Sequence, residues 1–418
     1  MTITRGRTVS NPFPWRRRPF LSVLAGLSDL KMAYDLRSSS VVSNWRVRFE
    51  KFPSPTVSRP PLFDVVEVQN WLLMEPSTKG PLAQMSAEGW YRLVLKAFHG
   101  QAKVDSTRTT ACALVLVHHL AVDEDVADCR RLWELLVEFI GSAPAHVLLS
   151  QLLEIAERLE DARPELAGDL VPALDQSDGG DGNFIVELVD ALDLVAKSES
   201  DIGRKARLRL NAVLDEHTEA RGREAKSTVA AIATLTAACR RNQEVFTILD
   251  PACGEGSFLV AGSRRWPAAR LYGQELVPEV RRVARAVLEV RQMTADLGVE
   301  AANSMNDDQH EGLLADLVMI DPPCGEQDPP LERWIEFGLR HRAQNGALTV
   351  LLPANRLAAV PSARRRPDAG LQDLVRVLAS DYAITTAIVM PRNLRTDVVG
   401  PLVLLHIGPA TERSGIRL

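Results

Sequence analysis

Cysteine is scarce in this chain of 418 residues, and the five present, Cys112, Cys129, Cys239, Cys253 and Cys324, are odd in number, far apart and never spaced as Cys-x-x-Cys. Such a set builds neither a disulfide framework nor a zinc site, and it belongs in a reducing cytoplasm. Long apolar runs are missing too. None approaches the ~18 residues of a membrane span, so a soluble multidomain protein with no membrane and no metal partner is expected. Aromatic residues reach only 5%, but a hydrophobic content of 46% is ample for several packed cores. A strong net charge is also lacking: the balance is −5, which gives the whole chain no attraction for nucleic acid. The distribution is uneven, however. Residues 1–61 hold 11 Lys and Arg against 3 Asp and Glu, a local basic excess that suits phosphate.

The pair Arg17-Arg18 ahead of Phe20-Leu21 imitates a twin-arginine export signal. The apolar run behind it is ended by Asp29 and Lys31, shorter than a secretory core, and residues 1–23 are expected to form a basic, disordered lead-in.

What is present is concentrated in ten residues, Asp250 to Leu259, reading DPACGEGSFL. They follow the apolar Val245, Phe246, Ile248 and Leu249 and precede a helix-like stretch, which marks a strand-to-helix turn. Two glycines one residue apart let backbone approach a ligand where a Cβ would collide, and the next helix offers unpaired N–H groups. A second block, Asp321-Pro322-Pro323-Cys324, ends the apolar strand Leu314–Ile320. Ligands bind at such strand ends in open α/β sheets. An acid beside a rigid Pro-Pro turn supplies hydrogen-bond acceptors without a strong base.

Together these blocks resemble the N6-adenine DNA methyltransferases, in particular the modification subunit of type I restriction systems and its stand-alone bacterial relatives. The likeness extends over about residues 225–410 and, less fully, 30–75. It implies a protein of α/β class whose residues 221–418 form a Rossmann-like, S-adenosyl-L-methionine-dependent methyltransferase domain. Asp250, Ala252, Gly254, Gly256 and Phe258 then belong to the cofactor loop. Asp321 and the Pro322 carbonyl, in the turn completed by Pro323, accept the hydrogens of the target amino group and leave its lone pair free for the methyl sulfonium. The family's fourth residue is Tyr, Phe or Trp, stacked on a base flipped from the duplex. Here it is Cys324, which cannot stack.

The remaining site residues follow from the same rhythm. Arg270–Glu275 reads as a second strand whose closing acid lies 19 residues after Gly256, and a carboxylate at about that distance accepts from both ribose hydroxyls. Glu275 is therefore the expected ribose ligand. Val299–Ser304 reads as the third strand, with Asn303 where relatives hold the cofactor's adenine through an Asp. Thr228, in Ser227-Thr228-Val229, stands where relatives carry a Phe-x-Thr-Pro turn against the methionine end. The helix Val280–Val290 is expected to leave its arginines in solvent. Asp328-Pro329-Pro330 follows polar residues and reads as a plain loop turn with no catalytic part. Ala347–Pro353, Ala383–Met390 and Pro401–Ile407 complete the sheet.

Upstream, residues 24–78 resemble a MerR-type or excisionase-type winged helix-turn-helix, carried by VSNWRVRFEKFPSP and PPLFDVVEVQNWL. That likeness implies duplex DNA as a partner, with Ser43, Asn44, Arg46 and Arg48 on or beside the recognition helix. Residues 79–220 read as a helical domain, because Arg131–Ile140, His146–Leu159 and Phe184–Ala196 place apolar residues three and four apart. His118 and His119 are adjacent, so on a helix they point different ways, and a packed or solvated pair is expected rather than a metal site.

Three functions compete. The first is an adenine-specific DNA methyltransferase of restriction–modification or phage defence, working in the cytoplasm on the nucleoid. Relatives continue into a target-recognition region or pair with a specificity subunit, and this chain stops at Leu418, so a separate partner is expected. The second is a DNA- and cofactor-binding relative impaired by Cys324. The third is an amino-group methyltransferase of RNA or protein, which the basic N-terminal region argues against.

Overall fold

The computed structural model describes residues 23–74, 85–99, 104–175, 182–198, 206–214, 232, 234–236, 239, 244–324, 328–357, 373–376, 378, 384–392 and 400–409. Residues 1–22, Ser227-Thr228-Val229 and residues 176–181 of the glycine-rich break lie outside them. Two compact units result. One comprises residues 1–107, 117–162 and 174–213, the other 108–116, 163–173 and 214–418.

The first unit begins with β1 (Leu24–Ala25), α1 (Leu27–Ala33), α2 (Ser40–Arg48), β2 (Val57–Ser58), β3 (Pro61–Asp64) and α3 (Val65–Met74). The strands pair antiparallel in the order β1-β3-β2. A polar serine turn starts α2, where the Ser40 N–H donates to Ser38 Oγ at 3.0 Å and so satisfies one of the free amides of a helix start. The few aromatics gather here: Phe52 and Trp71 have ring centroids 4.9 Å apart at 77°, the edge-to-face geometry that ring quadrupoles favour. Asn44, Arg46 and Arg48 are exposed on α2 and Ser43 is half-buried.

Helices α4 (Ala87–His99), α5 (Val104–His118), α6 (Cys129–Phe139), α7 (Ala145–Ala162) and α8 (Gly182–Ser198) follow in the chain, residues 108–116 of α5 being counted with the second unit. Their placement obeys apolar spacing: α7 buries Leu148, Leu152, Ile155, Ala156 and Leu159 as one stripe. His118 is buried with its ring edge on Trp133, centroids 4.9 Å apart, and its Nδ1 is 2.7 Å from Arg209 Nη1. Burial first, then that guanidinium, push the imidazole down to about 3, so a neutral ring accepts from Arg209.

The second unit is built on seven strands: β4 (Thr247–Asp250), β5 (Arg270–Gly273), β6 (Ala295–Asp296), β7 (Ala315–Ile320), β8 (Arg342–Pro353), β9 (Ile384–Arg392) and β10 (Pro401–Ile407). Their order is β6-β5-β4-β7-β8-β10-β9. The first five are parallel, and β10 runs antiparallel to both β8 and β9. β7 and β8 are near-continuous buried runs, as strands covered on both faces must be. Helices α9 (Ser257–Arg265), α10 (Pro278–Glu289) and α11 (Leu331–His341) accompany the sheet. Strand order reverses at β4, from which the chain goes to β5 and β6 and then returns to β7 on the other side. The crevice at the carboxyl ends of β4 and β7 is thus a topological switch point, the usual ligand position in such sheets.

Two expectations are corrected. The third strand is Ala295–Asp296, not Val299–Ser304, because Gly298 turns the chain at φ +74° and its N–H donates to Asp296 Oδ1 at 2.9 Å. Nor are the arginines of α10 all in solvent, since Arg281 is 6% exposed and Arg285 3%. Arg281 Nη1 lies 2.6 Å from Asp169 Oδ1 and Arg285 Nε 3.3 Å from Asp169 Oδ2, while carbonyls of Leu297, Gly298 and Ala295 take further N–H groups. A buried guanidinium is tolerated when its fork of donors is matched in this way.

Candidate cofactor and base site

The glycine loop is held open from both sides. Gly254 (φ +52°) and Gly256 (φ +77°) adopt the left-handed conformation that glycine takes without strain, and Gly256 is the N-cap of α9. Backbone bonds fix the path: the Cys253 N–H donates to Gln274 O at 2.9 Å and the Gly256 N–H to Cys253 O at 2.8 Å. Asp250 accepts the Ala252 N–H on Oδ1 at 3.2 Å. Its carboxyl is 1% exposed; burial pushes its pKa well above the usual carboxylate range, and the charges of Asp321 and Glu275 push the same way.

Glu275 stands just past β5 and clamps the loop, with Oε2 accepting the Gly254 N–H at 3.0 Å and Oε1 the Val277 N–H at 2.9 Å. Behind it, Gln274 is buried and donates through Nε2 to Asp307 O at 2.6 Å. The segment after β6 is drawn in by the Ala302 N–H, which donates to Glu275 O at 3.0 Å, and by Ser304 Oγ, which donates to Pro251 O at 2.6 Å. Asn303 arrives at the wall in this way, its Oδ1 accepting the Met305 N–H at 3.0 Å.

On the other side of β4, β7 delivers the Asp321 turn. A cavity of about 340 Å³ joins the two sides, its wall including Pro251, Ala252, Glu275, Asn303, Asp321 and Pro323. The size lies within the ~300–1,000 Å³ of small-molecule sites. Asp250, Gly254, Gly256, Phe258, Pro322 and Cys324 are not wall residues. They shape the loop and the turn, and Cys324 Sγ donates to Pro322 O at 3.2 Å. The second Asp-Pro-Pro is a loop, yet Asp328 and Pro329 lie on the cavity wall, as does Trp334 of α11. The turn's place on the wall follows from α11, which starts at Leu331 directly behind it. Gln274, Ser304 and Trp334 were missed by sequence reasoning; the only local signal is a polar residue, Gln274, at the end of an apolar strand. Thr228 lies outside the described residues. With the carboxylates of Glu275 and Asp321 on one cavity wall, the local field favours a cationic ligand over an anionic one.

One further contact holds the loop. Both guanidinium nitrogens of Arg108 grip Glu255, with Nη2 at 2.6 Å from Oε2 and Nη1 paired with Oε1. The side chains are 15% and 35% exposed, so solvent screening is incomplete. Arg108→Met is expected to cost about 1–2 kcal/mol, read as a melting temperature several degrees lower, and to weaken cofactor binding several-fold. The double variant Arg108→Met/Glu255→Met should recover most of the stability, since no charge is left unpaired. Additive losses in calorimetry and thermal melts would show that the pair does not hold the loop.

Solved structures share this architecture. The methyltransferase subunit of a type I restriction–modification system from Streptococcus thermophilus is 15% identical, the match covering 78% of this chain and 85% of that one at a TM-score of 0.55. A chain from a structure of the complex assembly and conformational transition of a type I restriction–modification system is 12% identical, covering 77% and 73% at a TM-score of 0.53. At such identities the likeness speaks for the fold alone. No curated protein matches the chain in sequence. Residues 214–350, which carry the glycine loop, Glu275 and the Asp321 turn, do match the family model of the N-6 DNA methylases, and the α/β unit is accordingly that of an adenine-specific DNA methyltransferase.

Proposed function

We propose that this chain transfers a methyl group from S-adenosyl-L-methionine to the exocyclic amino group of adenine in duplex DNA, as the modification component of a restriction–modification or phage-defence system. The observation that carries the reading is the single cavity shared by Glu275, at the end of β5, and Asp321, at the end of β7. The cofactor fits this cavity chemically: its sulfonium is a cation among carboxylates, and a glycine turn at a helix start leaves backbone donors for its polar ends. Glu275 and Asn303 would hold ribose and adenine, Ala252 and the loop of Asp250, Gly254, Gly256 and Phe258 the remainder. When bound, the cofactor supplies an activated methyl group.

The chain's own part is to orient the nucleophile. Asp321 and the Pro322 carbonyl accept the two amino hydrogens, which turns the nitrogen lone pair toward the donor, and Pro323 keeps the turn rigid. Asp321 is then the nearest base for the proton released on methylation.

Duplex binding is assigned to residues 24–78, through Asn44, Arg46 and Arg48 with Ser43 beside them. A separate specificity subunit in the cytoplasm would supply the target sequence; that the related structure is of a type I restriction–modification complex supports subunit partners. A second reading, a relative with impaired turnover, is favoured by Cys324, whose thiol already donates to the carbonyl that the amino group needs. A carbonyl has two lone pairs, so this contact competes without blocking.

Single-molecule sequencing of host DNA with and without the gene tests the reading. A methylated-adenine motif that disappears with the gene, and returns with wild type but not with Asp321→Ala, is the expected result. Unchanged adenine methylation would overturn it.

A further inference from the structure

We infer, resting on the function proposed above, that the indole N–H of Trp334 donates a hydrogen bond to a ring nitrogen flanking the amino group of the target adenine.

Trp334 is 5% exposed, and its Nε1 is buried with no hydrogen-bond partner among the described residues. Buried donors left without an acceptor are rare, and each calls for an explanation. This one belongs to a residue on the cavity wall, and it is the wall's sole aromatic among the described residues.

Topology says which part of the ligand it meets. Glu275 and Asn303 come from the β5 and β6 side of the sheet, whereas α11 follows β7 and packs on β7 and β8. β4 lies between β5 and β7, so two strand spacings of ~4.8 Å each separate the two sides. Trp334 therefore shares the half of the cavity that holds Asp321 and Pro323, where the target group must sit, and not the half assigned to the cofactor's nucleoside.

The chemistry is complementary. Asp321 and the Pro322 carbonyl can only accept, and they match the amino hydrogens. The ring nitrogens on either side of that amino group are themselves acceptors, which neither Asp321 nor Pro322 can satisfy. An indole N–H is a donor and nothing else. Cys324 is consistent with this arrangement: its thiol turns to Pro322 O, and its side chain packs on the same apolar cluster as Trp334. The small residue leaves the indole as the aromatic surface on this side.

The full-length protein saturated with S-adenosylhomocysteine would be titrated with 2′-deoxyadenosine, following intrinsic fluorescence. Trp334→Phe keeps the ring and removes the donor. It should bind deoxyadenosine about tenfold more weakly, bind S-adenosylhomocysteine as wild type does, and melt no lower than wild type, because the orphaned donor is gone. Either 1-deaza- or 7-deaza-2′-deoxyadenosine should abolish the difference between the two proteins. Equal deoxyadenosine binding by both, a penalty retained on both analogues, or parallel loss of S-adenosylhomocysteine affinity overturns the inference. So does a wild type that binds S-adenosylhomocysteine but no deoxyadenosine. Host-DNA methylation is read separately: if it persists while Trp334→Phe has no effect, this inference fails and the proposed function stands.

Discussion

Asp321→Ala is expected to lower methyl transfer by about two to three orders of magnitude, the usual cost of removing one preorganised group from a reacting centre. The physical reason is local. Without the carboxylate the target amino group loses its principal acceptor, its lone pair is no longer turned to the sulfonium, and the released proton has no base. S-adenosylhomocysteine affinity and melting temperature should stay near wild type, since Asp321 stands at the end of β7 and not within its core. Asp321→Asn keeps an acceptor and should lose less. Cys324→Tyr tests the impaired reading in the opposite direction: base–aromatic stacking is worth ~1–3 kcal/mol, so a base held poorly for want of that surface should react faster. A radiolabelled methyl-transfer assay on DNA from a host lacking the gene reads all three. An Asp321→Ala protein as active as wild type would remove the Asp321 turn from the chemistry.

Glu275→Ala should cost about 100-fold or more in cofactor affinity, because charge-assisted hydrogen bonds contribute ~1.5–3 kcal/mol each and the carboxylate is assigned two ribose hydroxyls. It also frees the Gly254 N–H, which Oε2 holds at 3.0 Å, so the glycine loop loses its clamp at the same time. Glu275→Gln retains the shape and part of the acceptor capacity and should fall between the two. The readout is the melting-temperature rise on adding S-adenosylhomocysteine, which follows from preferential binding to the folded state. A Glu275→Ala protein that shows the full rise contradicts the assignment.

The site was legible where its chemistry is local. A glycine turn after an apolar strand and an acid before two prolines are short-range signals, and β4, β5, β7, β8, β9 and β10 all lie where apolar runs place them. The errors occur where tertiary neighbours decide. Val299 to Ser304 reads as a strand from its residue types, but Gly298 ends the pairing and Val299 is 88% exposed. Arg281 and Arg285 read as surface charges until Asp169, more than a hundred residues away, neutralises them. Trp334 looks like any helix core residue, and only the cavity and its unpartnered Nε1 set it apart. Asp328 and Pro329 belong to a loop, as their polar flank suggests, yet the helix start behind them sets them on the wall.

The proposed function requires one cavity between the ends of β5 and β7 to bind S-adenosyl-L-methionine beside its methyl acceptor. Isothermal titration of the full-length protein with S-adenosylhomocysteine tests it most directly. Saturable binding at one site per chain is expected, strongly weakened by Glu275→Ala and retained in Asp321→Ala; no heat of binding from the folded wild-type protein would rule the site out.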